Sequence, residues 1–105
     1  MAIDLELLEQ DGNCIIAVKG EVDLYSSPQL REAMLKAVVK TASVLGLDLA
    51  GVTYMDSSGV ATLVEGLKAT GERSKSFALL TPSQSVMKVL QLSRLDSVFT
   101  IKDAL

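Results

Sequence analysis

Hydrophobic and polar residues alternate at the start of the chain, and this alternation predicts a β-hairpin. Ile3, Leu5 and Leu7 alternate with acidic residues, a pattern typical of an outer strand with one polar face. The turn-forming triplet at 11–13, Asp-Gly-Asn, separates this segment from a second apolar run at 14–18. Residues 3–19 are therefore predicted to form an antiparallel hairpin, which the segment 20–23 closes.

Beyond this hairpin, the pattern predicts helices that alternate with strands. Ser26, Ser27 and Pro28 are typical of a helix start, and apolar residues then recur at helical spacing: Leu30, Ala33, Met34, Ala37 and Val38. The run 44–49 is apolar on both faces apart from Asp48, as in an interior strand. A helix and a covered strand therefore follow the hairpin.

The last third of the chain repeats this alternation. A second helix is predicted from Val60 to a stop near Gly71, followed by a strand at 77–80. Residues 81–84 have the form of a capping box, with Pro82 at the first position of a third helix. A short strand within 95–101 should precede a frayed tail. This order predicts an α/β fold: a mixed sheet that opens with an N-terminal hairpin, with helices packed against it through right-handed crossovers.

The main candidate for a functional site is the junction at 52–60, where a strand pattern meets a helix pattern. Asp56, Ser57 and Ser58 are residue types that cap helix N-termini, and Gly59 is expected to keep the turn open. The positive end of a helix dipole favours anions, and phosphorylation of a hydroxyl there would add negative charge. This short motif alone is usually only a helix cap. However, the loop leaves the C-terminal end of a central strand, where open α/β sheets tend to place binding sites.

Composition limits the classes of protein to consider. A chain of 105 residues that is 49% hydrophobic and 22% charged suits one globular domain spanning 1–105. The net charge of −3 and the scattered basic residues argue against nucleic-acid binding. No apolar run approaches the roughly 20 residues of a membrane span, and the N-terminus does not resemble a signal peptide. We therefore expect a cytoplasmic protein, in which the single Cys14 is a buried thiol.

Catalytic and metal-binding classes lack their required residues. Without histidine there is no Ser-His-Asp triad, and the segment Gly66 to Gly71 has P-loop glycine spacing without the following Lys and Ser or Thr. Zinc has no plausible ligand set, and the dispersed Asp23, Asp48 and Asp56 do not indicate a magnesium site. We predict no enzyme activity, catalytic residue, cofactor or metal. A phosphate-accepting receiver domain would begin β-α rather than with a hairpin, and remains a distant alternative.

Four segments together resemble a known family. They are Gly20-Glu21-Val22-Asp23, Ser26-Ser27-Pro28-Gln29-Leu30-Arg31, Tyr54-Met55-Asp56-Ser57-Ser58-Gly59, and Val89-Leu90-Gln91-Leu92 with Leu95-Asp96. In this order and spacing they resemble the STAS-domain family, and within it the bacterial anti-sigma factor antagonists. The resemblance covers nearly the whole chain. It is therefore far more specific than the serine motif alone.

The resemblance implies a small STAS protein that binds an anti-sigma factor serine/threonine kinase, so that the sigma factor is released to RNA polymerase. It implies that Ser57 is the phosphoacceptor, that Asp23 and Asp56 are acidic positions beside it, and that Ser58 is a neighbouring small hydroxyl. Phosphorylation by the kinase should turn binding off, and a PP2C-type phosphatase is a further expected partner.

We expect the partner surface to combine three segments that lie together. These are the Asp56 loop with Gly59, the exposed side of the following helix with Glu65, and residues 20–27. The protein is expected to act as a monomer.

Two departures from the family pattern keep alternatives open. The segment at 59–62, Gly-Val-Ala-Thr, stands where these antagonists more often carry Gly-Leu-Gly, and Ser93-Arg94 replaces Thr-Gly. The first departure bears on the partner surface. One alternative is a small STAS subunit that docks on the ATPase of a bacterial lipid-transport ABC system. Another is an interaction subunit of a larger signalling or secretion-control assembly.

Overall fold

A five-stranded mixed sheet forms the centre of the structure, a computed structural model that describes residues 3–105. Its elements are β1 (Ile3–Gln10), β2 (Asn13–Val22), α1 (Ser27–Lys40), β3 (Val44–Met55), α2 (Ser57–Glu72), β4 (Ser76–Leu80), α3 (Gln84–Leu92) and β5 (Thr100–Lys102). The strands lie in the order β1-β2-β3-β4-β5. Strand β1 pairs antiparallel with β2, and the remaining pairs are parallel. The predicted α/β fold with an N-terminal hairpin is confirmed.

The central strand β3 is longer than the pattern at 44–49 indicated. It continues to Met55 because its second half pairs with the end of β2, where Gly20 lies opposite Val52 and Val22 opposite Met55. Both strands therefore end at the same edge of the sheet, next to the start of α2. That edge is where the candidate site lies.

The core lies between the sheet and the helices. Leu45, Leu47 and Leu49 are fully buried at alternate positions of β3, as expected for one face of a strand. Helices α1 and α2 pack against each other; α1 also contacts β2, while α2 contacts β3 and β4. Helix α3 packs beside β3. None of the helices within residues 3–105 is long and apolar enough to cross a membrane.

A buried hydroxyl stabilises the edge of the sheet opposite the candidate site. Thr41, only 1% exposed, follows α1, and its Oγ1 accepts a hydrogen bond from the Cys14 amide at 2.8 Å. The same hydroxyl donates to the Val44 carbonyl. Cys14 itself is buried, as predicted. Thr41 thus joins the starts of β2 and β3.

Helix α2 ends at Glu72, close to the predicted stop near Gly71, but Gly71 is not the residue that terminates it. Gly71 is still helical, and the residue with positive φ after the helix is Ser74, at 57°. The predicted start of the third helix is wrong. Helix α3 begins only at Gln84, because Ser83 is its cap and accepts a hydrogen bond from the Val86 amide. Pro82 therefore precedes the helix instead of occupying its first position.

The predicted frayed tail is also wrong at its end. A short strand does form at the predicted place, as β5. Beyond it, Leu105 is partly buried, and its side chain lies over Gly46, where an added Cβ would be 3.3 Å from Leu105 Cδ2. The chain end therefore packs on the central strand, because Gly46 leaves room for a leucine side chain.

Candidate functional site

Asp56 is the N-cap residue of helix α2. Its backbone is extended, and its Oδ1 accepts hydrogen bonds from the amides of Ser58, at 2.9 Å, and Gly59, at 3.3 Å. These amides have no partner within the helix, so a carboxylate at this position satisfies them and also complements the helix dipole. Of the three candidate cap residues, Asp56 alone caps the helix.

The two serines that follow Asp56 differ in their environment. Ser57 is exposed, and its hydroxyl makes no hydrogen bond with any residue in 3–105. Ser58 is partly buried, and its carbonyl accepts a hydrogen bond from Oγ1 of the buried Thr62 at 2.9 Å. The hydroxyl of Ser57 is thus open to solvent, and no hydrogen bond within residues 3–105 depends on it.

Gly59 lies inside the first turn of α2, and the expectation that it keeps a turn open is wrong. It is buried, and a Cβ added to it would lie 2.6 Å from Met55 Cγ and 3.0 Å from Val22 Cγ1. Glycine is therefore needed because the helix start approaches the ends of β2 and β3 so closely.

Asp23 organises the loop between β2 and α1. Its Oδ1 accepts hydrogen bonds from the amides of Tyr25, at 2.9 Å, and Ser26, at 3.0 Å. The Ser26 hydroxyl accepts from the Asp23 amide at 3.0 Å and lies 2.7 Å from the Glu21 carbonyl, to which it donates. The Ser26 amide, followed by the Tyr25 amide and the Ser26 hydroxyl, holds the pKa of Asp23 below its usual value despite some desolvation. Ser26 occupies the N-cap position of α1, but its side chain makes no capping bond to that helix.

The structure brings this loop and the Asp56 loop together. The Asp56 amide donates to the Val22 carbonyl at 3.2 Å, so the residue before Asp23 is bonded directly to the cap of α2. Segments 20–27 and 56–59 are consequently neighbours at one edge of the sheet. The ion pairs within residues 3–105, Arg31–Glu65 and Lys36–Glu32, involve neither Asp23 nor Asp56. This edge therefore carries unpaired negative charge.

Glu65 lies farther along α2. Eight residues after Ser57, it is displaced by about 12 Å along the helix axis. Its carboxylate pairs with Arg31 of α1, and the two side chains are 44% and 53% exposed. Glu65 therefore bridges two helices on the surface, at a distance from the first turn that places it toward the margin of the site.

Two residues of the predicted segment 20–27 were not singled out by the sequence analysis. Leu24 and Tyr25, between Asp23 and Ser26, are 64% and 82% exposed. The available signal was a pair of large apolar residues inside a predicted loop, where an argument from helix or strand periodicity does not apply.

No three acidic or thiol groups in residues 3–105 come close enough to hold a metal ion.

Comparison with known sequences places this geometry in context. The sequence model of the STAS domain matches residues 4–105. A relative from Listeria monocytogenes, named anti-sigma-B factor antagonist, is 34% identical over 98% of this chain and 91% of its own length.

Solved structures have the same fold. An anti-sigma factor antagonist from Mycobacterium paratuberculosis superposes with a TM-score of 0.86, at 24% identity, over 98% of this chain and 87% of that one. The anti-sigma factor antagonist SpoIIAA in its unphosphorylated form gives a TM-score of 0.78, at 25% identity, over 93% and 87% of the two chains. The phosphorylated form of the Bacillus cell fate determinant SpoIIAA gives 0.71, at 23% identity, over 93% and 90%.

Proposed function

This chain belongs to the STAS domain family, and on that basis we propose that it is an anti-sigma factor antagonist whose partner is an anti-sigma factor. The proposal is supported by the Listeria relative, which carries that function in its name and matches nearly the full length of both chains. It is also supported by the likeness to the antagonist SpoIIAA. The lipid-transport subunit considered from the sequence has no comparable support among these relatives.

We further propose that the partner is a serine/threonine kinase and that Ser57 is the residue it phosphorylates. The observation that supports this step is that the three polar residues at the start of α2 have different environments. Asp56 supplies the cap and Ser58 is partly buried, whereas the Ser57 hydroxyl is exposed. A kinase needs a hydroxyl that it can reach without breaking the fold, and Ser57 meets that condition.

The same geometry explains why phosphate would turn binding off. The amides of Ser58 and Gly59 already bind the Asp56 carboxylate, so a phosphate on Ser57 would have to compete for them. Phosphorylation adds roughly 1.5 to 2 negative charges at pH 7 beside that carboxylate. Burying this charge in a partner interface is costly, and each loss of about 1.4 kcal/mol weakens binding tenfold. No refolding of the domain is required.

The proposed partner surface consists of residues 20–27, residues 56–59 and the exposed side of α2 as far as Glu65. Its first two parts are joined by the bond between the Asp56 amide and the Val22 carbonyl. In this proposal the protein is a cytoplasmic monomer that binds its partner and has no turnover of its own. A PP2C-type phosphatase would remove the phosphate and restore binding.

The test is phosphorylation by the kinase-type anti-sigma factor encoded nearest to this gene, followed by mass spectrometry and a binding titration. Phosphate should map to Ser57. Ser57→Ala should bind without being phosphorylated, Ser57→Asp should fold but bind poorly, and Ser58→Ala should still accept phosphate. Incubation with ATP alone should leave the protein unmodified.

Three results would contradict this assignment: phosphate on Ser58, phosphate on Thr62, or a Ser57→Asp variant that binds as well as the parent. The lipid-transport hypothesis would become the better one if the kinase neither bound nor phosphorylated the parent. Self-phosphorylation of the purified protein would separately refute the absence of catalytic activity.

The acidic residues of the surface need variants that separate charge from structure. Charge reversal at Asp23 would also remove the acceptor that orders its loop, so Asp23→Asn is the cleaner change because its amide oxygen can still accept both bonds. Asp23→Asn and Glu65→Gln should weaken partner binding while the domain stays folded. Equal losses from Lys36→Gln or Lys40→Gln, on the far part of α1, would place the interface elsewhere.

A further inference from the structure

We propose that Leu24 and Tyr25 are apolar anchors, side chains that the anti-sigma factor buries when it binds this protein. This inference rests on the function proposed above. Both side chains face solvent, at 64% and 82% exposure, and Tyr25 has the highest exposure among the large apolar residues in 3–105. Scattered apolar residues on a surface are ordinary. Two adjacent ones on an ordered loop beside a candidate modification site are not.

The loop that carries these residues is held in one conformation. The Asp23 carboxylate binds the amides of Tyr25 and Ser26, and the Ser27 amide donates to the Asp23 carbonyl at 2.9 Å. The Ser26 hydroxyl ties the same turn to the Glu21 carbonyl. A rigid turn that displays an aromatic side chain loses little conformational entropy when a partner buries it. This is the character of an interface hot spot.

The position of the pair ties it to the proposed switch. Leu24 follows Val22 by two residues, so their Cα atoms are at most about 7 Å apart, and Val22 is hydrogen-bonded to Asp56. A standard interface buries about 800 Å² on each partner, which is a disc of roughly 16 Å radius. One partner footprint therefore covers the pair and Ser57 together.

The partner that fits this feature is an anti-sigma factor with a shallow apolar pocket into which these two side chains insert. An exposed tyrosine buries at most about 150–250 Å², far below the area that one side of a stable dimer interface needs. The pair is thus too small to hold a second copy of this chain by itself. It suits an anchor inside the larger surface already defined by residues 20–27 and 56–59.

The experiment compares Leu24→Ser and Tyr25→Ser with the parent in a titration against the kinase-type anti-sigma factor encoded nearest to this gene. Each substitution should weaken binding about 30-fold, the threshold of about 2 kcal/mol that defines a hot spot. Tyr25→Phe should retain most of the affinity because it keeps the ring. Val39→Ser is the matched control, since Val39 is 57% exposed on the last turns of α1 and lies away from the site.

Kinetics of phosphate transfer to Ser57 provide a second measurement. Because the anchors would touch the partner and not the reacting hydroxyl, the two serine variants should raise KM with little change in kcat. Their urea unfolding should match that of the parent, since both side chains are already exposed in the free protein.

The outcomes separate this inference from the function it rests on. If the parent binds and is phosphorylated but both serine variants behave like Val39→Ser, the anchors are wrong and the proposed function stands. A parent that does not bind the anti-sigma factor overturns both. A concentration-dependent dimer in sedimentation that Tyr25→Ser abolishes would assign the pair to self-association and would also refute the proposal.

Discussion

Gly59 provides the sharpest test of how the candidate site is built. Replacing it with alanine should destabilise the protein, although alanine normally favours a helix over glycine by up to about 1 kcal/mol. The new Cβ would lie 2.6 Å from Met55 Cγ and 3.0 Å from Val22 Cγ1. Val22 is 0% exposed and Met55 5%, so neither side chain has free space into which to move.

The magnitude follows from a second glycine in the same helix. Gly71 is exposed, and a Cβ there would meet nothing within 4 Å. Gly71→Ala should therefore stabilise the protein by about 0.4–1 kcal/mol. Overpacking a core costs about 1–3 kcal/mol, so the free energy of unfolding of Gly59→Ala should lie about that far below that of Gly71→Ala. In a domain of this size each kcal/mol shifts Tm by about 4–8 °C.

Urea unfolding followed by far-ultraviolet circular dichroism measures this difference, and is suitable because the chain has no tryptophan. The m-values of both variants should equal that of the parent. If Gly59→Ala is as stable as Gly71→Ala, close packing does not explain the glycine, and the account of how α2 is seated against β2 and β3 is incorrect.

Further predictions concern single contacts. Asp56→Ala should lower the free energy of unfolding by about 0.5–2 kcal/mol through loss of the helix cap, whereas Asp56→Asn should lose much less in the same urea titration. The Lys75 ammonium donates a hydrogen bond to the Val38 carbonyl, near the end of α1, at 2.8 Å. Lys75→Met should therefore lower the free energy of unfolding by about 1 kcal/mol in the same assay. No loss would mean that this contact is not formed in solution. Thr41→Val should cost about 1–3 kcal/mol, because a buried amide loses its acceptor, and a neutral result would refute that role. The pKa of Asp23 is lowered in the folded state, so its ionised carboxylate stabilises the fold when the pH is above the ordinary pKa of 3.8. That contribution should disappear as pH falls through the lower folded value, and the stability difference between the parent and Asp23→Asn, measured from pH 7 to pH 2, should change only in that acidic range.

The amino-acid sequence alone determined most of the architecture. The hairpin, the three helices and the alternation of helices and strands along the chain follow from local periodicity, which depends only on residues a few positions apart. The position of the candidate site could also be predicted from neighbouring residues alone, because Asp56 and Ser57 stand where a strand pattern changes to a helix pattern. The family resemblance, confirmed by the match over residues 4–105, rests on the same short segments.

The details of how the candidate site is built came only from tertiary packing. Gly59 reads as a turn residue in sequence, but its neighbour Val22 belongs to a different strand, and no local pattern reports that contact. The pairing of Arg31 with Glu65 joins residues 34 positions apart. The contact of Leu105 with Gly46 likewise joins distant parts of the chain.

The solvent exposure of individual apolar side chains is another property that the sequence did not predict. Tyr25 lies in solvent while Leu30, five residues later, is fully buried, because the first sits on a turn outside the core and the second faces the sheet from α1. Periodicity identifies which residues are apolar, but the packing of elements decides which of them water still reaches. The side chains left exposed beside Ser57 are thus a property of the assembled fold.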